Sequence, residues 1–200
     1  MNLETFAPLT ELDFLHHAFT QRTTADTRAA DYESRLATHL GYAGYVRADQ
    51  PHGAGVAVAD CPTNITGADA LITNVRKLPL VVRCADCAAI YVVDCKARAI
   101  GLIHSGKKGT LANIAGQTLA AMTRQFGTQP HDCRVLISPS IGPCHYEMDL
   151  WHAIESQFRV AGVTDIHNPR TCTACHLDRY FSYRAEHGQT GRMFALLALR

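Results

Sequence analysis

The 200-residue sequence predicts an α/β fold in which strands and helices alternate in layers within a single domain spanning residues 1–200. Three observations carry this reading. Short β-rich apolar runs interleave with segments whose apolar residues recur at helical spacing, the order that lays helices over sheets. Hydrophobic residues make up 47% of the chain and charged residues 18%, with a net charge of +1, a balance suited to one well-filled core. No repeat, low-complexity tract or long linker marks a boundary.

The stretch to about residue 30 is mixed in pattern. Asp31-Tyr-Glu-Ser-Arg-Leu-Ala-Thr-His-Leu40 has helical periodicity and runs into Gly41, a residue type that commonly stops helices. Gln50-Pro-His-Gly-Ala-Gly-Val-Ala-Val58 opens with proline and glycine and continues with alternating valines, so a turn leads into a strand and His52 lies near its start. From Leu78 the chain becomes strand-rich: Leu78-Pro-Leu-Val-Val-Arg83, Ala88-Ala-Ile-Tyr-Val-Val93 and Ala99-Ile-Gly-Leu-Ile-His104. These runs suit strands covered on both faces, with Cys87 and His104 at strand ends. Ser105-Gly-Lys-Lys-Gly-Thr110 then reads as a turn into a helix beginning near Leu111, a geometry that favours anions. Arg134-Val-Leu-Ile-Ser138 is a further strand and Leu150–Phe158 a helix. For Gly191–Leu199, period alone does not separate a buried strand from a helix.

Composition also narrows function. The chain has no block of Lys or Arg, so the basic surface of a nucleic-acid binder is missing and a small-molecule substrate is expected. The N-terminal segment lacks the charge and apolar run of a signal peptide, and no apolar stretch reaches the roughly 18 residues of a membrane span. A cytoplasmic protein is expected, in which the eight cysteines are thiols.

Several constellations carry chemistry. His52, Cys87 and His104 offer a thiolate and two imidazoles, which suit zinc with a fourth position open, although sequence distance says nothing about convergence. The pairs Cys84-Ala-Asp-Cys87 and Cys172-Thr-Ala-Cys175 offer an alternative closed site, and Cys172-Thr-Ala-Cys-His176 matches a haem-attachment pattern that the lack of an export signal argues against. Lys107 and Lys108 at a helix start suit phosphate. Cys87 with His104 also reads as a nucleophile and its base, a reading that leaves His52 without a role.

Seven segments in order resemble the YfiH-type laccase-domain family, long labelled multicopper polyphenol oxidoreductases and understood as zinc-dependent purine nucleoside phosphorylases. They are His17-Ala-Phe-Thr-Gln-Arg22, Gln50-Pro-His-Gly53, Ala68-Asp-Ala-Leu-Ile-Thr73, Cys84-Ala-Asp-Cys87, His104-Ser-Gly-Lys-Lys-Gly109, Ile141-Gly-Pro-Cys-His-Tyr-Glu147, and Phe181-Ser-Tyr-Arg184 with Thr190-Gly-Arg192. The resemblance implies a layered α/β/β/α sandwich with mixed sheets and makes His52, Cys87 and His104 the zinc ligands, with Cys87 and His104 central to catalysis. It implies phosphorolysis of adenosine, inosine and methylthioadenosine to free base and ribose 1-phosphate or its methylthio analogue, with adenosine deamination as a further activity. Phosphate then falls to Lys108, which aligns with a family arginine, with Lys107 beside it and Arg22 as a second holder.

The chain departs from the family pattern in three places. Lys107-Lys108 replaces Trp-Arg, which exchanges a planar donor and an aromatic platform for point charges. Pro51 replaces a valine, and the stretch from Glu147 to Trp151 looks shortened, as though a wall of the substrate pocket were missing. Three rival readings remain open at this level. A copper-dependent polyphenol oxidase needs HxH and HCH motifs, and none occurs here. The others are a nucleoside-binding module without turnover and a Cys87/His104 amide hydrolase.

Overall fold

The apolar runs that period leaves ambiguous become strands buried on both faces, and their alternation divides the molecule into layers. The computed structural model describes residues 1–200. In chain order it contains β1 (Leu3–Glu4), α1 (Ala7–Thr10), β2 (Leu15–Thr20), α2 (Tyr32–His39), β3 (Val46–Ala48), β4 (Val56–Val58), β5 (Thr63–Ile65), β6 (Ala70–Thr73), β7 (Leu80–Cys84), β8 (Ala88–Asp94), β9 (Ala99–Ser105), α3 (Lys107–Leu111), α4 (Ile114–Phe126), β10 (Cys133–Ile137), α5 (Leu150–Val160), β11 (Asp165–His167) and β12 (Met193–Leu199). The strands form two mixed six-stranded sheets, ordered β1-β2-β12-β7-β3-β5 and β11-β10-β8-β9-β6-β4. No helix is long and apolar enough to cross a membrane.

In β8, Ala89, Tyr91 and Val93 face the core shared by the two sheets, while Ala88, Ile90 and Val92 face the core that also holds Leu119 of α4 and Ile154 of α5. In β12, Met193, Ala195 and Leu197 point inward, and Phe194 and Leu196 pack with Tyr32 and Leu36 of α2. The layers therefore run α2, sheet, sheet, α4 with α5, which is the α/β/β/α sandwich that the family resemblance implies. The core between the sheets holds 25 buried residues and the core under α4 and α5 holds 22, against 5 beneath α2. At about 1.5–3 kcal/mol for each large apolar side chain removed from water, the first two cores dominate folding.

The C-terminal run is a strand because it lies between β2 and β7 with both faces covered, so neither face shows the polar alternation that would have marked it. Gly41 follows α2 at φ +86°, as expected of a helix stop. The helix after His104 differs from expectation. It begins at Lys107, inside the supposed turn, and breaks at Asn113, which adopts φ +57° and accepts a hydrogen bond from the Gly116 N–H to cap α4.

His17, on β2, is buried, and the Phe6 N–H donates to its Nε2 at 2.8 Å, which requires a neutral ring. Burial, with smaller repulsion from His16 and Arg200, pushes its pKa down from 6.5 to about 4. The unfolded chain binds this proton below about pH 6.5, whereas the folded chain resists it until about pH 4. Stability present above pH 6.5 is therefore lost as pH falls through that window. Urea unfolding across this range is expected to show wild type losing roughly 2–3 kcal/mol more than His17→Gln. Parallel curves for the two proteins would remove His17 as the cause.

Candidate functional site

Strand register brings the site together. β9 pairs with β8 so that Ala89 lies opposite His104, and with β6 so that Ala70 lies opposite Ile103. Two steps further along the first ladder Cys87 comes opposite Gly106, and one step further along the second Asp69 comes opposite His104. A side chain at residue 106 would sit 2.7 Å from the Cys87 Sγ, so this position requires glycine. The His104 N–H donates to the Asp69 carbonyl at 2.7 Å, and Nδ1 of His104 lies 2.9 Å from Oδ1 of Asp69. The carboxylate accepts, so Nδ1 carries the proton and Nε2 presents its lone pair.

The same carboxylate holds the third residue. It accepts the His52 N–H at 3.0 Å and the Gly53 N–H at 2.7 Å, fixing a turn in which His52 adopts φ +66°. The His52 and His104 rings meet edge to face with centroids 4.9 Å apart. The donor atoms of His52, Cys87 and His104 all lie within 4.8 Å of one another. Burial pushes the Cys87 thiol up to about 12, helped by the negative charges of Asp86 and Asp69, and burial lowers the His104 pKa against the opposing pull of Asp69. Such a thiol ionises at neutral pH only with a cation against it. One thiolate and two neutral imidazoles, one of them oriented by a carboxylate, form a donor set that fits zinc with a fourth position left for water or substrate.

These residues border a cavity of about 740 Å³ formed where both sheets end. Arg83, Arg184, Arg192 and Lys107 bring positive charge to it, and Tyr146 and Tyr183 bring aromatic surface. Lys107 and Arg184 both engage Glu147, at 3.0 and 3.2 Å, and Arg83 is 3.9 Å from Glu33. Arg192 bonds only the carbonyls of Thr190 and Gly191, so it alone of the four has no carboxylate partner. Tyr146 and Leu150 form a wall on the side where the sequence looked shortened.

Lys108 and Arg22 are not brought to this cavity. Lys108 is exposed on α3 and does not line it. Arg22 lines a separate depression, bound to Glu186 at 2.8 Å and stacked on Phe181. The two CxxC pairs do not meet either. Cys84 is buried between the sheets, whereas Cys172 and Cys175 face Cys144 and His145. Sequence reasoning passed over Asp69, Asp86 and Arg192. Each lies inside a quoted motif, but the role of each depends on a neighbour in another strand or loop.

A layered α/β/β/α protein with a His-Cys-His metal-type site at the sheet ends is the class that this fold and geometry define. The chain belongs to the YfiH-type laccase-domain family: the family profile described as "Multi-copper polyphenol oxidoreductase laccase" matches residues 20–149 and 145–200. Purine nucleoside phosphorylase YlmD of Geobacillus stearothermophilus is 29% identical over 98% of this chain and 86% of that protein. A purine nucleoside phosphorylase of Deinococcus radiodurans is 30% identical over 85% and 77%. The crystal structure of YlmD superposes with a TM-score of 0.87 at 25% identity, covering 94% of this chain and 93% of that one. The Bacillus licheniformis protein YfiH has the same fold, with a TM-score of 0.89 at 23% identity over 95% and 94%.

Asp69→Asn replaces an acceptor with a group that donates on one side, which sets the His104 tautomer against metal binding. Zinc affinity, measured by competition with a chromophoric chelator, is expected to fall about 10- to 100-fold while circular dichroism keeps the wild-type spectrum. Unchanged affinity would show that Asp69 does not orient the ligand.

Proposed function

We propose that the chain is a zinc-dependent enzyme of the cytoplasm that cleaves purine nucleosides such as adenosine, inosine and methylthioadenosine by phosphorolysis. The observation that carries this reading is the meeting of His52, Cys87 and His104 at the border of a cavity large enough for a nucleoside, with the uncountered charge of Arg192 on its rim. The names of the relatives support it.

Phosphorolysis replaces the C1′–N9 bond with a C1′–O bond to phosphate, and the purine leaves with the electron pair and takes up a proton. Arg192 binds the phosphate, and its fixed charge lies nearest the need because Arg184 and Lys107 are shared with Glu147. Tyr146 and Tyr183 offer the base aromatic faces, a role that the Trp-to-Lys107 replacement had left open. His52, Cys87 and His104 would hold the zinc. When bound there, zinc supplies Lewis acidity and lowers the pKa of water to about 7, the chemistry that deamination at the purine C6 requires. The same donor types also occur in copper electron-transfer sites, but those add a long axial methionine or glutamine; no methionine lines this cavity, and Gln50, which does, uses both ends of its amide on the Arg83 backbone.

A second reading has its own support, because Cys87, His104 and Asp69 follow the order of a thiol hydrolase triad. The raised Cys87 and lowered His104 oppose it, since together they disfavour the thiolate–imidazolium pair. His52→Ala separates the two: the zinc enzyme loses metal and turnover, whereas a triad keeps both its fold and its activity.

Zinc-loaded protein given adenosine and phosphate is expected to release adenine and ribose 1-phosphate, resolved chromatographically from any inosine. Formation of neither product overturns the proposal. Arg192→Ala is expected to raise the KM for phosphate roughly ten- to hundredfold while nucleoside binding changes little. Equal losses for both substrates would place Arg192 in the scaffold instead.

A further inference from the structure

The four residues Cys144, His145, Cys172 and Cys175 form a second cluster, separate from the cavity and lined by none of its residues. Cys144 and His145 sit in the long loop between β10 and α5; Cys172 precedes and Cys175 ends the 3-10 turn Thr173–Cys175 that follows β11. Nδ1 of His145 lies 3.3, 3.5 and 3.8 Å from the sulfurs of Cys144, Cys175 and Cys172, and the Cys144 and Cys175 sulfurs are 3.6 Å apart. All four donor atoms fall within 4.8 Å of one another. Tetrahedral zinc, with Zn–S about 2.3 Å and Zn–N about 2.0–2.1 Å, has edges of about 3.8 Å between sulfurs and about 3.6 Å between sulfur and nitrogen. The observed spacings fit that tetrahedron.

We propose that these residues form a closed Cys3His structural zinc site. Three soft sulfur donors and one imidazole complete four-coordination, so no position remains for water or substrate and the site is not catalytic. Its place in the fold gives it a task. The first loop carries Tyr146 to the cavity and Glu147 to the lining residues Lys107 and Arg184, and the second segment leads into Tyr183 and Arg184 on the same rim. The backbone link between the two is a single bridge, Ser140 to Cys172. A zinc ion shared between them ties the two halves of the cavity wall together across a 31-residue separation, and because the site exists only in the folded chain its binding free energy adds to the stability of the fold.

The site is independent of the metal assigned to His52, Cys87 and His104, and the test keeps the two apart. The full chain carrying Cys87→Ser with His104→Ala, purified without chelator, is expected to retain one zinc per chain by elemental analysis. In that protein the exposed thiols Cys144 and Cys175 resist iodoacetamide, mapped by peptide mass, until a chelator is added, whereas exposed Cys61 reacts throughout. The converse variant, Cys144→Ser with Cys175→Ser, is expected to lose that ion and retain the other. Wild-type protein provides the same protection assay if a variant does not fold. The proposal is overturned if Cys144 and Cys175, exposed like Cys61, react as fast as Cys61 before any chelator is added. It is equally overturned if Cys144 and Cys175 are recovered as a disulfide.

Discussion

The carboxylate of Asp69, out of contact with solvent, is the constraint on which the candidate centre depends. Three N–H groups converge on it, from His104, His52 and Gly53. Hydrogen bonds to a charged group contribute about 1.5–3 kcal/mol each, which together offset the roughly 1–3 kcal/mol cost of a left-handed His52. His104 has a strand to hold it, but His52 does not. It precedes β4 in an exposed turn, held by this side chain and by Gln50, whose amide bonds the backbone N–H and carbonyl of Arg83 on β7. Asp69 thus converts sheet register into a three-donor site.

A second buried carboxylate does comparable work on the other wall. Asp86 sits in the three-residue link that carries the chain from β7 in one sheet to β8 in the other, at φ +83°. Its side chain accepts from the Thr173 and Ser182 hydroxyls and the Arg184 N–H, each at 2.7 Å, and its carbonyl accepts the Ile141 N–H at 2.8 Å. Three stretches, at Ile141, Thr173 and Ser182–Arg184, are gathered at the crossing point between the sheets. Cys87, the last residue of that link, immediately follows Asp86, so the thiol and the loops that surround the cavity share one anchor.

The extent to which the molecule was legible in its sequence follows from which contacts are local. The strands from Leu80 to Ser105 were visible because both of their faces are apolar, and Cys87 and His104 were correctly placed at strand ends. β2 was invisible because two histidines interrupt it, one of them neutral and buried. The short strands β3, β5 and β11 have too few residues to show a period. The phosphate role expected of Lys108 rested on its alignment with a family arginine and its place at a helix start, and the structure leaves this residue off the cavity lining. The uncountered cation is Arg192, which precedes β12 and reaches the site only because Met193 pairs with Cys84. The partner of the second CxxC was missed for the same reason, since Cys144 and Cys172 meet only after β10 and β11 have paired.

The register of β8 and β9 has a consequence for how this chain tolerates change. The metal-type donors and the crossing link lie at one end of these seven-residue strands, and the turn from Cys95 to Arg98 lies at the other, about 20 Å away along the ladder. A residue inserted in that turn lengthens a loop and leaves every cross-strand partner in place. A residue inserted within either strand inverts all faces beyond it and carries His104 away from Cys87 and Asp69 together. Length variation in descendants of this fold should therefore collect at the far turns, and the end that bears the donors should stay constant in spacing even where its side chains diverge.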